Sequence, residues 1–316
     1  MNYLIPNNIY LGDSRELMRK IEPGTISLSF WSPPYFLGKD YEKGETFDSW
    51  QDLLRSIITL HSIVLKPGAF MVINIADILA FKDETIPRIQ AANPSNHKSR
   101  VTREMVLEAR AANPNYNRYQ LANLLGCSEQ TIDRRLNGNN IRGGKYQPQT
   151  RVKLVGSALE DYGYSVGLYL YDKRVWKKDP AWANSKWTTN TLKAVSETED
   201  LYVFWKPGEY SINRARLTSY EWKKWGYRQI WEIGSVRRND DHPAKFPEEL
   251  ARRVIKLYTD PDDLVLDPFL GSGTTIIAAS RMKRRYIGIE RDVAYYNLAL
   301  KNLEKANAQL SLFDQD

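Results

Sequence analysis

The chain has 316 residues, 42% apolar and 26% charged, the balance of a globular protein able to bury a substantial core in one to three domains. Its net charge of +7 suggests an anionic partner, and the charge is concentrated in residues 97–153, with eleven Lys/Arg against four Asp/Glu, and 206–245, with nine against five. No apolar run reaches the roughly 18–20 residues that span a bilayer, the N-terminus lacks the features of a signal peptide, and a single cysteine excludes an internal disulfide framework, so a cytoplasmic protein without membrane contact is expected.

Short β-rich runs alternate with helical stretches, the pattern of an α/β sheet. Residues 8–13 read as a strand ending in a turn, with Ser14 as the cap of a short helix over 15–20. Residues 25–31 form a buried strand that must stop at Pro33 and Pro34, which cannot donate to a sheet ladder. Helical spacing of Leu53, Leu54, Ile57, Ile58, His61 and Val64 predicts a helix over 48–65. Lys66-Pro67-Gly68 then turns the chain into a strand over 69–76. A polar segment, 82–149, carries helical patterns over 102–112, 118–125 and 128–136. The last two, joined at Gly126-Cys127 with Ser128 as N-cap, fit a helix-turn-helix. A helix over 151–161 and strands over 166–176 and 201–206 resume the sheet, with a Trp-bearing loop over 180–190 between the strands. Residues 207–242 are aromatic and basic without a period. Helix 247–258, strand 264–267, helix 274–282, strand 286–290 and helix 292–306 complete the sheet, and 309–316 read as a frayed tail.

Two strings carry chemistry. Leu264-Val265-Leu266-Asp267 leads into Pro268-Phe269-Leu270-Gly271-Ser272-Gly273-Thr274-Thr275, a strand, a glycine turn and a helix start. Glycines permit positive φ and close backbone approach, and the helix N-terminus offers free N–H groups to an anionic group. Glu290, at the end of the next strand about twenty residues on, can accept both hydroxyls of a ribose. The second string, Trp31-Ser32-Pro33-Pro34-Tyr35, follows an apolar strand. The Ser32 hydroxyl and the Pro33 carbonyl can hold the hydrogens of an exocyclic amine, Pro33 and Pro34 keep the carbonyl aimed, and Tyr35 can stack on a base.

Together the strings resemble the catalytic and S-adenosyl-L-methionine loops of amino-DNA methyltransferases. With the catalytic loop first in the chain, the resemblance is to the β class, and serine before Pro-Pro-Tyr points to its N(4)-cytosine branch. The implied fold is a circularly permuted, Rossmann-like α/β methyltransferase with a mixed seven-stranded sheet and a helix-turn-helix insert. The implied cofactor is S-adenosyl-L-methionine and the implied substrate double-stranded DNA, with a base flipped into the site. Within the resemblance, Asp13 reads the adenine amino group, Phe269 packs on the adenine, and Ser272 and Thr274 meet the methionine carboxylate. The string 242–247, with Lys245, resembles the segment that closes over the methionine portion. Arg237 and Arg238, with Trp222, Trp225, Tyr227 and Trp231, fall where this class places target recognition. At least half of those tryptophans are expected to form a small core instead. Ser128, Gln130, Thr131, Arg134 and Arg135 are the DNA-contact candidates of the insert; a dimer contact or structural arm is the alternative.

The expected division is a methyltransferase domain over 1–81, 150–206 and 242–308, a helical insert over 82–149, a recognition segment over 207–241 and the tail. Cys127 sits in a helix-to-helix turn, far from the thiolate setting that methylation at ring carbon 5 requires. His61, His97 and His242 lack metal-ligand spacing, and no metal is expected. A cognate restriction endonuclease is a candidate partner. The rival readings are an adenine-N(6) methylase, a helix-turn-helix regulator with an inactive methylase domain, and an RNA or protein methylase.

Overall fold

The computed structural model describes residues 2–34, 46–81, 100–137, 150–180, 194–209, 212–236 and 246–313. The chain forms two compact units, one of Met1–Ala80, Val152–Ala181 and Ser196–Asp316, the other of Phe81–Arg151 and Trp182–Val195.

The first unit is built on β1 (Asn8–Leu11), β2 (Ile26–Trp31), β3 (Leu65–Ile75), β6 (Tyr169–Lys177), β7 (Thr198–Trp205), β8 (Ile230–Glu232), β9 (Leu264–Asp267) and β10 (Arg285–Glu290). They form one sheet in the order β1-β10-β9-β2-β3-β7-β6-β8. The first five run parallel, and β7 is antiparallel to both β3 and β6. The N-terminal strand thus extends the C-terminal half of the chain, with Leu11 opposite Glu290. Among the described residues the sheet holds eight strands, where seven were expected. The eighth, β8, is a three-residue edge strand beside Val175–Lys177, too short to show a period within the aromatic, basic segment.

Helices α1 (Ser14–Leu17), α2 (Phe47–Val64), α6 (Gly156–Ser165), α8 (Glu248–Tyr258), α9 (Thr274–Arg281) and α10 (Val293–Phe313) belong to this unit, with a single short turn, α7 (Ser219–Glu221), before a π-helical turn over Trp222–Gly226. The predicted apolar stripe of α2 is buried at Leu54, Ile57, Ile58, His61 and Val64, and Thr46 closes its N-terminus in a capping box with Ser49. Truncating Leu54, fully buried, would cost about 2–5 kcal/mol. One core cluster joins α2 and α6 to residues from β2, β3 and β9; another gathers α8 and α9 with Leu28, Phe30, Val72 and Val265.

Several expectations are corrected. Asp13, not Ser14, caps α1, accepting from Arg15 N; Ser14 is buried and donates instead to the Pro268 carbonyl. Lys66-Pro67-Gly68 lies within β3 as a bulge, because pairing with β2 begins at Leu65 and resumes at Phe70. Residues 150–153 form β5 (Thr150–Lys153), paired with β4 (Ile78–Phe81), and the helix starts only at Gly156. The β-branched Thr150 and Val152 favour that strand. Finally, α10 continues to Phe313, through part of the expected tail.

In the second unit, α3 (Arg103–Ala112), α4 (Arg118–Leu124) and α5 (Glu129–Asn137) fall where the periodicity places them. Val101, Val106, Leu121, Ala122 and Ile132 make a small core of their own. The turn between α4 and α5 uses Gly126 at φ +60°, and Ser128 Oγ accepts from Thr131 N at 3.3 Å.

Candidate active site

The parallel strands end on one side, and the chemistry-bearing residues follow their carboxyl ends. Asp13 comes two residues after β1, Glu290 closes β10, Asp267 closes β9 and Ser32 follows β2. The register makes them neighbours: Leu11 faces Glu290, Gly288 faces Asp267, and Ser29 faces Leu266. A cavity of about 490 Å³ opens there. It is lined by Ser32, Pro33 and Pro34 of the first string, by Pro268, Phe269, Gly271, Ser272 and Thr274 of the second, and by Asp13 and Glu290.

The glycine turn is held from three sides. Gly271 N donates to Glu290 Oε2 at 2.7 Å, Leu270 N to the Ile289 carbonyl at 3.0 Å, and Asn302 Nδ2 to the Ser272 carbonyl at 3.0 Å. Gly273 takes φ +92° as the N-cap of α9, a conformation only glycine adopts without strain, and a Cβ there would stand 3.3 Å from Ala299 Cβ. Gly273 and Asp267 do not line the cavity. Asp267 is fully buried and accepts from Phe269 N at 3.0 Å, so it shapes the loop from beneath. Burial pushes its carboxyl up to about 7, with the nearby Glu290 charge adding to the shift and the bond from Phe269 N opposing it.

Glu290 accepts from two backbone amides, Gly271 N and Asp292 N at 2.9 Å, one on each oxygen. Each oxygen has a second lone pair for a ligand. Burial raises its pKa against those amides. Asp13 forms a fork with Arg15, 3.0 Å from Nε and 2.6 Å from Nη2, and this bond holds its carboxyl below the usual range. Acidic groups at one end, apolar Phe269, Leu270 and Ile289 alongside, and a glycine turn whose backbone lies close suit a nucleoside-bearing cation.

The string Trp31–Pro34 is anchored by partners that its sequence did not reveal. Trp50 Nε1, from α2, donates to the Pro34 carbonyl at 2.6 Å. Trp31 stacks on His61, with centroids 5.6 Å apart and rings 11° from parallel, and meets Phe269 at 5.4 Å, so the two strings touch through aromatic rings. Ser32 Oγ donates to the Asn74 carbonyl at 2.9 Å. With its only hydrogen committed, that oxygen meets other groups as an acceptor. Leu53, Phe246, Arg291, Asp292 and Tyr295 also line the cavity without having been singled out as site residues. Phe246 had a signal, since it belongs to the string 242–247, and it packs on Phe30 at 5.0 Å.

Tyr35, Arg237, Arg238 and Lys245 lie outside the described residues. Of the aromatic recognition candidates, Trp225 and Trp231 are core, 3% and 1% exposed, and Arg253 of α8 covers their rings at 5.4 and 5.8 Å. Tyr227 is exposed and stacks on Trp222 at 4.8 Å. In the helical unit, Arg135 Nε donates to the Val101 carbonyl at 3.0 Å, which gives that arginine a structural bond. Among the described residues no cluster of His, Cys, Asp and Glu could hold a metal ion, and no helix is long and apolar enough to cross a membrane.

One cavity at the carboxyl ends of the parallel strands brings the proline-framed string Ser32–Pro34 together with the glycine turn that follows β9. The chain belongs to the DNA methylase family, whose model matches residues 26–301. It is 55% identical over 303 residues to the Type II methyltransferase M.BglI of Bacillus subtilis, covering 96% of this chain and 87% of that protein. It is 22% identical over 306 residues to the DNA adenine methyltransferase YhdJ of Escherichia coli, covering 94% and 82%. The fold is similar to that of the cytosine-N4-specific PvuII DNA methyltransferase, at TM-score 0.61 and 18% identity over 97% of this chain and 92% of that one. It is also similar to a DNA modification methylase from Thermus thermophilus, solved in complex with S-adenosyl-L-methionine, at TM-score 0.60 and 22% identity over 95% and 93%.

Proposed function

We propose that this protein is a Type II, site-specific DNA methyltransferase that moves a methyl group from S-adenosyl-L-methionine to the exocyclic N(4) amino group of a cytosine flipped out of double-stranded DNA. One observation carries the reading: Ser32, Pro33 and Pro34 share a single cavity with Asp13, the glycine turn and Glu290. The Type II name of the 55% identical relative supports DNA as the substrate and a cognate restriction endonuclease as a partner. Serine before Pro-Pro-Tyr supports cytosine.

When bound, the cofactor supplies a methyl group made electrophilic by a positively charged sulfur. Glu290 would accept from the ribose hydroxyls, Asp13 would meet the adenine amine, and the backbone around Ser272 and Thr274 would hold the carboxylate. Ser32 Oγ, fixed as an acceptor, would accept a hydrogen bond from one N–H of the target amine, and the prolines keep the Pro33 carbonyl aimed at the other. The amine loses its proton after transfer, so no strong base is needed at Ser32. The resemblance gives Tyr35, outside the described residues, the role of stacking on the flipped base.

Incubation of the protein with duplex DNA and labelled S-adenosyl-L-methionine, followed by digestion to nucleosides and mass identification, tests the reading. N(4)-methylcytosine is the expected product. N(6)-methyladenine would establish the adenine reading, in line with the name of the Escherichia coli relative. Label appearing in RNA or protein and absent from DNA would overturn both.

We further propose that α5 of the helical unit adds DNA affinity without adding chemistry, through Ser128, Gln130, Thr131 and Arg134. Because Arg135 bonds the Val101 carbonyl, Arg134→Ala is the cleaner variant. If Arg134 meets a phosphate, the variant should bind DNA more weakly, and the slope of log affinity against log salt should flatten by about 0.9. Superimposable salt titrations of wild type and variant would remove α5 from the DNA interface.

A further inference from the structure

Behind Ser32 runs a polar row that the methyl-transfer reading does not use. Asn74, near the end of β3, is 1% exposed, and its Nδ2 donates to Glu199 Oε2 at 2.7 Å. Glu199, on β7, is 6% exposed and is paired with Lys178, the residue after β6. The sheet explains the convergence. β7 lies between β3 and β6, with Leu201 opposite Asn74 and Trp176 opposite Glu199, so three strand ends meet at the edge of the sheet where β2 gives way to Ser32.

This row is costly. The neighbours of Asn74 along β3, Ile73 and Ile75, and Leu201 opposite it on β7 are buried and apolar. A buried charged pair repays its desolvation only with good geometry and satisfied partners, and apolar residues of similar volume often serve stability as well or better. The polar choice therefore calls for a local reason. The Asn74 main chain supplies one: its carbonyl receives the Ser32 hydroxyl hydrogen. Where that carbonyl stands decides where Ser32 Oγ stands and which way its lone pairs point.

We propose that Asn74, braced by Glu199 and Lys178, is a positioning residue for Ser32, fixing the β3 carbonyl that makes the serine hydroxyl an acceptor for the target amine. The proposal rests on the methyl-transfer reading above. Asn74 touches no substrate in it and acts only through Ser32. Removing the brace lets the carbonyl shift, and a small misplacement of a reacting group costs up to about 100-fold in rate.

The test is single-turnover methylation at saturating DNA and S-adenosyl-L-methionine, with calorimetric cofactor affinity and circular dichroism measured in parallel. Asn74→Ala should lower the transfer rate about 10- to 100-fold with cofactor affinity unchanged. Glu199→Gln, which keeps the shape and removes the charge, should lower it in the same direction, and it decides the question if Asn74→Ala does not fold. In a Ser32→Ala background, either change should alter the residual rate less than about twofold, because the group being positioned is gone. Rates within about twofold of wild type in the single variants would overturn the positioning role. So would equal losses with and without Ser32, or a loss traced to cofactor affinity. A wild-type protein that methylates no DNA would overturn the functional reading itself, a result separate from any comparison among the variants.

Discussion

Glu290→Ala is expected to weaken S-adenosyl-L-methionine binding about 100-fold, or about 2.7 kcal/mol. Hydrogen bonds to a charged acceptor contribute about 1.5–3 kcal/mol each, and two ribose hydroxyls would share this carboxylate. The variant also leaves Gly271 N and Asp292 N without their carboxylate acceptor, so the glycine turn loses its tie to β10. Glu290→Gln should fall between, since its amide oxygen can keep one of those two bonds while its NH2 group faces the other donor. Calorimetry on variants with native circular dichroism is the measurement. Affinity within about threefold of wild type for Glu290→Ala would sink the ribose assignment, and with it the orientation proposed for the cofactor.

The strands and helices nearest the site were legible because each is short, strongly patterned and ended by a residue with a mechanism. Pro33 stops β2, Gly273 starts α9, and Glu290 ends a run of apolar residues. Their convergence was legible only through the resemblance, which set the N-terminal strand beside the C-terminal half; pairing of Leu11 with Glu290 is a contact 279 residues apart in the chain, beyond the reach of any local pattern. What the sequence hid were second partners. Trp50 lies on an ordinary amphipathic helix, and nothing in its spacing says that its indole N–H meets the Pro34 carbonyl. Asn74 and Glu199 read as polar interruptions of apolar strands until the β3–β7 pairing brings them together. Ser14 and Asp13 are both good cap residues, and the choice between them depends on the Pro268 carbonyl, which comes from the far end of the chain. The helices of the second unit were legible because their apolar spacing and the Ser128 cap are local; Thr102 and Asn117, which also cap within three residues, went unread.

Two buried groups should give opposite pH dependences of stability that nearly offset each other. His61 is fully buried, and desolvation lowers its pKa to about 4 against 6.5 unperturbed. Its Nδ1 lies 2.8 Å from the Ile57 carbonyl, which can only accept, so Nδ1 carries the proton and Nε2 accepts from Ser29 Oγ at 2.7 Å. Between these pKa values the unfolded chain binds the extra proton, so this term raises stability as pH rises. Asp267 is the reverse: burial lifts it from 3.8 to about 7, so the folded state holds the extra proton and this term lowers stability as pH rises. From pH 5.0 to 6.5 the first adds about 1.5 kcal/mol and the second removes about 2 kcal/mol. Glu290, also raised by burial, acts in the same sense as Asp267. His61→Gln should therefore lose the rising term, so its stability change over that interval lies about 1.5 kcal/mol below that of wild type. Asp267→Asn, which can still accept from Phe269 N, should lie about 2 kcal/mol above it. Urea unfolding of the three proteins at the two pH values makes the comparison, and taking differences from wild type removes the groups that all three share. Parallel changes in all three would mean that neither group is desolvated as the packing beneath the glycine turn and against α2 requires.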